Sequence, residues 1–185
     1  MSRSTVVAAV ALAVLAPLLV SCGADGPDPA LVRALEGRGG MRSSSLYLPV
    51  VRDEKPDHWR VARDRTVTLY WKRDGTGFDG TATLQETTVG DLCTGRSPQW
   101  DQCRRIDADV AVLGFEEQNE VVVRTGGDEI VFGVSLELPD EDYPTAEALR
   151  DAQDEIVNAV VMAGRYAEAL DETAFVTALP RGKVG

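Results

Sequence analysis

Residues 128–138 decide the fold, and they read Asp-Glu-Ile-Val-Phe-Gly-Val-Ser-Leu-Glu-Leu. Successive side chains of a β-strand point to opposite faces of the sheet, so an apolar row with a period of two predicts a half-buried strand. Ser135 and Glu137 lie on the other face of this segment. The apolar row consists of Ile130, Phe132, Val134, Leu136 and Leu138.

Other segments of the chain repeat this alternation and extend the predicted sheet. Gly126-Gly127 joins two of them tightly, and such a short join requires antiparallel neighbours. We therefore predict an antiparallel sheet of five or six strands. Its other apolar positions are Leu46, Leu48 and Val50; Val67, Leu69 and Trp71; Ala82 and Leu84; Ile106, Ala108, Val110 and Val112; and the short run 121–123.

The period changes after Pro144-Thr145, where apolar residues follow at steps of three and four. Such steps place side chains on one face of a helix. Gly164 costs about 1 kcal/mol relative to Ala, which does not overturn the helix. A long C-terminal helix over the apolar face of the sheet predicts a two-layer α+β domain. Its stripe is Leu149, Ala152, Ile156, Val160, Ala163, Ala167 and Leu170.

The limits of this domain follow from its two ends. Asp28-Pro29 is typical of a helix start, with Asp as the cap and Pro at the first helical position. We place a single globular domain at residues 30–179 and expect residues 180–185 to be a loose tail.

The first residues of the chain are typical of an exported protein. Arg3 precedes an apolar run at residues 6–20, which indicates a secretory signal peptide. The run is shorter than the roughly 20 residues of a membrane-spanning helix.

The stretch Leu19-Val20-Ser21-Cys22 resembles the lipobox of bacterial lipoproteins. The resemblance implies that residues 1–21 are removed as a signal peptide and that Cys22 carries a diacylglyceryl group with palmitate-like chains. Residues 22–29 would then tether the domain to the extracytoplasmic face of the cell membrane. An ordinary signal peptide with a chance cysteine is the alternative. The resemblance covers 22 residues and implies nothing about the rest.

The charge of the chain excludes one class of partner. The whole chain carries a formal charge of −11, and removal of residues 1–21, with their one basic residue, leaves 164 residues at −12. Nucleic acid repels so acidic a protein, so we expect no nucleic-acid partner.

Cys93 and Cys103 have nine residues between them and belong to an exported chain. Disulfides persist outside the cytoplasm, so we predict that these two cysteines pair, which would contribute about 2–3 kcal/mol of stability. A metal site and two free thiols are the alternatives. The chain has no CxxC spacing and one histidine, so we expect no metal.

The loop that this disulfide closes is the candidate binding surface. Arg96, Pro98 and Trp100 would be partly preorganised on it, and Trp and Arg are common at binding hot spots. In the alternative, Trp100 packs under its own loop against the sheet.

None of the catalytic or cofactor motifs in the chain has the sequence context that its chemistry requires. Residues 75–80 match GxGxxG, but a strand pattern follows where dinucleotide binding needs a helix. Calcium binding by Asp74 and Asp79 lacks the remaining ligands of an EF-type loop. The chain has no GxSxG or HExxH motif that would place His58 in a serine hydrolase or a zinc site. Two carboxylate pairs remain: Asp107 and Asp109, which would share one strand face, and Glu116 and Glu117, which would begin a turn. Such pairs arise freely among 30 acidic residues.

We therefore expect a lipid-anchored, non-enzymatic envelope protein that binds another protein or a small ligand through the sheet edge or the disulfide loop. A cell-wall hydrolase that uses carboxylates and a membrane-displayed protease inhibitor are the alternatives.

Overall fold

The computed structural model describes residues 27–42, 46–71, 78–87, 90–94, 102–115, 118–136, 138 and 142–185. These residues form three helices and ten strands. In chain order they are α1 (Pro29–Gly37), β1 (Leu46–Leu48), β2 (His58–Val61), β3 (Val67–Trp71), β4 (Gly80–Glu86), β5 (Gln102–Arg105), β6 (Val110–Phe115), β7 (Gln118–Thr125), β8 (Asp128–Val134), α2 (Ala146–Arg165), β9 (Glu168–Leu170), α3 (Glu172–Ala178) and β10 (Gly182–Val184).

The main sheet has eight strands in the order β10-β2-β3-β4-β8-β7-β6-β5. Its neighbours are antiparallel except β10, which runs parallel to β2. The prediction of an α+β fold is confirmed, and the count of five or six strands is wrong. Strands β2, β5 and β10 were not predicted from the sequence. The four residues of β5 are all exposed, so its sequence shows no apolar alternation. Leu46–Leu48, counted as part of the main sheet, instead pairs with β9 in a separate two-stranded sheet.

The inner face of the main sheet carries the core. The buried row predicted on β8 is present, with Ile130 and Phe132 fully buried and Val134 nearly so. Helix α2 packs against β7, and a Cβ at Gly164 would lie 2.8 Å from Cβ of Val123. The glycine therefore lets the helix approach the sheet closely, and this packing offsets the low helix propensity of glycine.

The predicted C-terminal helix exists, but it is shorter than predicted and is not the last element. Thr145 caps it, with the side-chain oxygen accepting from the Ala148 backbone N–H at 3.1 Å. It ends at Arg165, so Ala167 and Leu170 do not belong to it, and β9 and α3 follow. Residues 180–185, which we expected to be loose, contain β10 beside β2.

The two short helices complete the inner layer. Asp28 caps α1 as predicted, accepting from the Ala30 backbone N–H at 2.8 Å, and Asp171 caps α3 in the same way. Phe175 of α3 meets the ring of Trp59 edge-on at 5.9 Å. Within the described part of the chain, no helix is both long and apolar enough to cross a membrane.

The outer face of the sheet carries a second, smaller core that the sequence analysis did not predict. Leu92 lies on it and is 1% exposed. The segment at residues 90–94 therefore covers the β8-β7-β6 part of this face, and the sheet buries apolar residues on both sides. The strand residues of this outer core are Ala111, Leu113, Val122 and Val131.

Candidate functional site: an apolar groove beside α2

The predicted disulfide is confirmed. Cys93 and Cys103 are bonded, with their Cα atoms 5.8 Å apart. Cys103 lies on β5, so the bond fastens the covering segment to the edge of the sheet. The proposed lipidation site Cys22 and the proposed binding residues Arg96, Pro98 and Trp100 lie outside the described residues, and these predictions stay predictions.

Polar contacts hold the covering segment as well. Arg105 of β5 forms an ion pair with Asp91. Arg124 donates to the Gly90 carbonyl oxygen at 2.6 Å and also pairs with Glu129, which is fully buried on the outer face. Charge-assisted bonds of this kind are stronger than neutral ones, so this end of the disulfide loop is well fixed.

The described candidate catalytic residues have clear contacts. His58 stacks on Tyr70 with ring centroids 4.7 Å apart, on the outer face of β2 and β3. Asp107 forms an ion pair with Arg165 of α2 and accepts a bond from the Asp109 backbone N–H.

The structure also shows where other residues of the predicted motifs lie. The expectation that Asp107 and Asp109 share a strand face is wrong, because both precede the start of β6. Gly80, the last glycine of the GxGxxG match, begins β4, and Asp79 is exposed before it. Asp74, Glu116 and Glu117 lie outside the described residues. In the described ranges, no three His, Cys, Asp or Glu side chains are grouped to hold a metal ion.

Large exposed apolar side chains gather at a different place, beside the C-terminal half of α2. Tyr166 is 77% exposed, Met162 51% and Val50 39%. They line a groove of about 420 Å³, which we call the α2 groove. Its other lining residues are Arg52, Asp53, Ala159 and Ala163.

Helical spacing builds one wall of the α2 groove. Ala159, Met162, Ala163 and Tyr166 are three or four residues apart, and residues at this spacing are neighbours on a helix surface. Ala163 is buried at the base of this wall, whereas Met162 and Tyr166 project into solvent. The helix therefore offers small residues below and large apolar residues above.

A tight turn builds the opposite wall. Val51 and Glu54 exchange two backbone hydrogen bonds, of 3.0 and 2.9 Å. Between them Arg52 and Asp53 have φ angles of 50° and 65°, in the left-handed region that non-glycine residues seldom adopt. Two such residues make the kind of turn that closes a narrow hairpin. The Arg52 side chain bonds Glu155 of α2 at 2.9 Å, which ties the two walls together.

The residue types that line the α2 groove are common at binding surfaces. Tyr, Met and Arg are enriched at protein interfaces, and clustered exposed apolar residues mark interaction sites more often than scattered ones. The groove was not predicted from the sequence because Met162 and Tyr166 fall beside the apolar stripe of the helix. Their spacing of four residues on one side of that stripe was the available signal.

Comparison of the chain with protein-family models, with curated proteins and with solved structures finds no match. The function must therefore be argued from the sites themselves.

Proposed function

We propose that this chain is a lipid-anchored protein on the extracytoplasmic face of a bacterial cell membrane, and that it docks another envelope protein in the α2 groove without catalysis. The single observation that carries the docking proposal is the gathering of Val50, Met162 and Tyr166 around one preformed groove. The lipobox-like stretch that ends at Cys22 supports the anchor.

The groove supports docking better than the exposed sheet edge does. At that edge, Arg104 lies 3.7 Å from Asp154 of α2, and Arg105 pairs with Asp91. Charged side chains on an edge strand discourage the addition of another strand. The α2 groove combines an apolar surface with walls that are already in place, so binding there orders fewer groups.

The net negative charge of the chain limits which partners it attracts. The mature chain would carry −12. The N-terminal half of α2 exposes Glu147 and Asp151, whereas Asp154 and Glu155 form ion pairs with Arg104 and Arg52. Two copies of so acidic a chain repel each other, whereas a basic partner is attracted. The occupant that fits is a segment of another protein with an apolar face and flanking basic residues.

Photocrosslinking in the intact, anchored protein tests this proposal. A photoreactive phenylalanine replaces Tyr166, and a matched label replaces Ile106, which is 43% exposed outside the α2 groove. We expect a discrete adduct from position 166 that position 106 does not give, and we expect Met162→Asp to abolish it. Mass spectrometry of the crosslinked peptide should show an apolar segment with basic flanks.

The affinity for that segment measures how much Tyr166 contributes to binding. With the segment as a synthetic peptide, Tyr166→Ala should weaken binding at least about 30-fold, as expected for a hot-spot residue. Equal adducts from positions 166 and 106, or an adduct made of two copies of this chain, would contradict the proposal.

A further inference from the structure

A second groove lies between α1 and α3, on the inner side of the fold. It encloses about 550 Å³, and we call it the α1–α3 groove. Leu35 and Val176 in its lining are almost fully buried, and Val32 is partly buried between them and solvent. The other lining residues are Pro27, Glu36, Gly39, Gly40, Glu172 and Thr173.

Two glycines after the end of α1 line part of the groove. Gly39 and Gly40 have φ angles of 75° and 82°, a conformation that favours glycine. At Gly40 a Cβ would lie 2.7 Å from Oε2 of Glu172, so glycine lets this carboxylate rest against the backbone. Both residues contribute backbone and no side chain to the lining.

The position of the α1–α3 groove relates it to the proposed anchor. Pro27, one of its lining residues, is five residues after Cys22 in the sequence. Five residues span at most about 17 Å even when fully extended. A group attached to Cys22 is therefore held near the groove at a high effective concentration.

The negative charge of the groove lining favours some apolar ligands over others. Glu36 and Glu172 are the charged residues among those that line the groove. Two carboxylates disfavour a free fatty acid or an anionic phospholipid, because each would bring a further negative charge. An acyl chain in ester or amide linkage on Cys22 carries none, and it would remove the apolar lining of the groove, including Val32, from water.

We propose that one acyl chain of the lipid on Cys22 lies in the α1–α3 groove, so that the anchor is partly held by its own protein. This inference rests on the lipid anchor of the proposed function and is independent of docking in the α2 groove. When Cys22 carries an N-acyl chain besides the diacylglyceryl group, two chains remain in the bilayer, and two chains suffice for stable anchoring.

The test uses the full lipidated protein with a photoreactive lipid. Cells are grown with a fatty acid that carries a diazirine near its end, and the protein is extracted in detergent and irradiated. We expect peptides of α1 and α3 to be crosslinked to the acyl chain on Cys22 within the same molecule. Thr173→Trp, which places a large side chain in the groove, should lower this crosslink at least tenfold.

Thr177→Trp is the matched control, because Thr177 is exposed on the same helix but does not line the groove. It should leave the crosslink unchanged. Intact mass separates the two ways to fail. If Cys22 carries lipid but crosslinks form only with detergent or with other parts of the chain, the groove proposal is overturned and the anchor stands. If Cys22 carries no lipid, both are overturned.

Discussion

The two faces of the eight-stranded sheet are covered in different ways. On the inner face, Phe132 and Val123 pack beneath helices in one large core. On the outer face, Val122 and Val131 pack beneath the short segment that contains Leu92. The inner cover is held by a large apolar core, with exposed ion pairs from α2 to Arg52, Arg104 and Asp107. The outer cover buries far less apolar surface and is held by a disulfide and by charged contacts.

This difference shows how little apolar surface a short cover can bury. A segment of five residues offers one large apolar side chain, Leu92, and needs covalent closure to stay in place. A helix of 20 residues buries several side chains and needs no bond. Substitutions should therefore cost most on the inner face, and loss of the disulfide should affect the outer face alone.

Phe132→Ala is the largest expected effect. It removes a fully buried ring from the inner core, which should lower the free energy of unfolding by about 3–5 kcal/mol. Urea unfolding of the purified domain measures it. A loss below about 1 kcal/mol, the range of a much smaller truncation, would mean that the inner core is not packed as described.

Replacement of both cysteines, Cys93→Ser with Cys103→Ser, comes next. The loss of the closed loop should reduce the free energy of unfolding by about 2–3 kcal/mol. Hydrogen exchange should rise in residues 90–94 and in β5, because these are the parts that the bond joins. Faster exchange spread equally over α2 would contradict the separation of the two covers.

Gly164→Ala should have two opposing effects on the stability of the protein. Helix propensity alone predicts a gain of about 1 kcal/mol. The added Cβ, however, would lie 2.8 to 3.0 Å from atoms of Val123, and overpacking of a core costs about 1–3 kcal/mol. We expect a net loss of stability in thermal unfolding, and a higher melting temperature would show that α2 can move away from β7 freely.

Tyr166→Ala should have the smallest effect on stability. The side chain is 77% exposed, and surface substitutions usually change the free energy of unfolding by less than about 0.5 kcal/mol. Together with a large loss of partner binding, this would mark the α2 groove as an interaction surface. A loss of stability above about 1 kcal/mol would instead give Tyr166 a structural role.

The sequence predicted the elements whose residues show a clear period. The alternation on β3, β4 and β8 identified these strands. The cap Asp28 located the start of α1, and the change of period after Thr145 located the start of α2. Because each of these signals is local, no partner in space is needed to read it.

The missed elements depend on distant partners. Gln102–Arg105 is a strand only because β6 and the disulfide hold it, and Gly182–Val184 only because β2 lies beside it. The outer core escaped for the same reason, since a five-residue segment without a period gives no sign that Leu92 is buried. Two parts of the α2 groove, the turn at 51–54 and the helix, are about 100 residues apart, so no local pattern connects them.

The intact mass of the native protein, extracted in detergent and measured before and after reduction, tests whether Cys22 carries the lipid anchor. We expect the mass of residues 22–185 plus a diacylglyceryl group, with or without a further acyl chain, and a gain of two hydrogens on reduction. A mass without lipid, or a chain that begins at a residue other than Cys22, would contradict it.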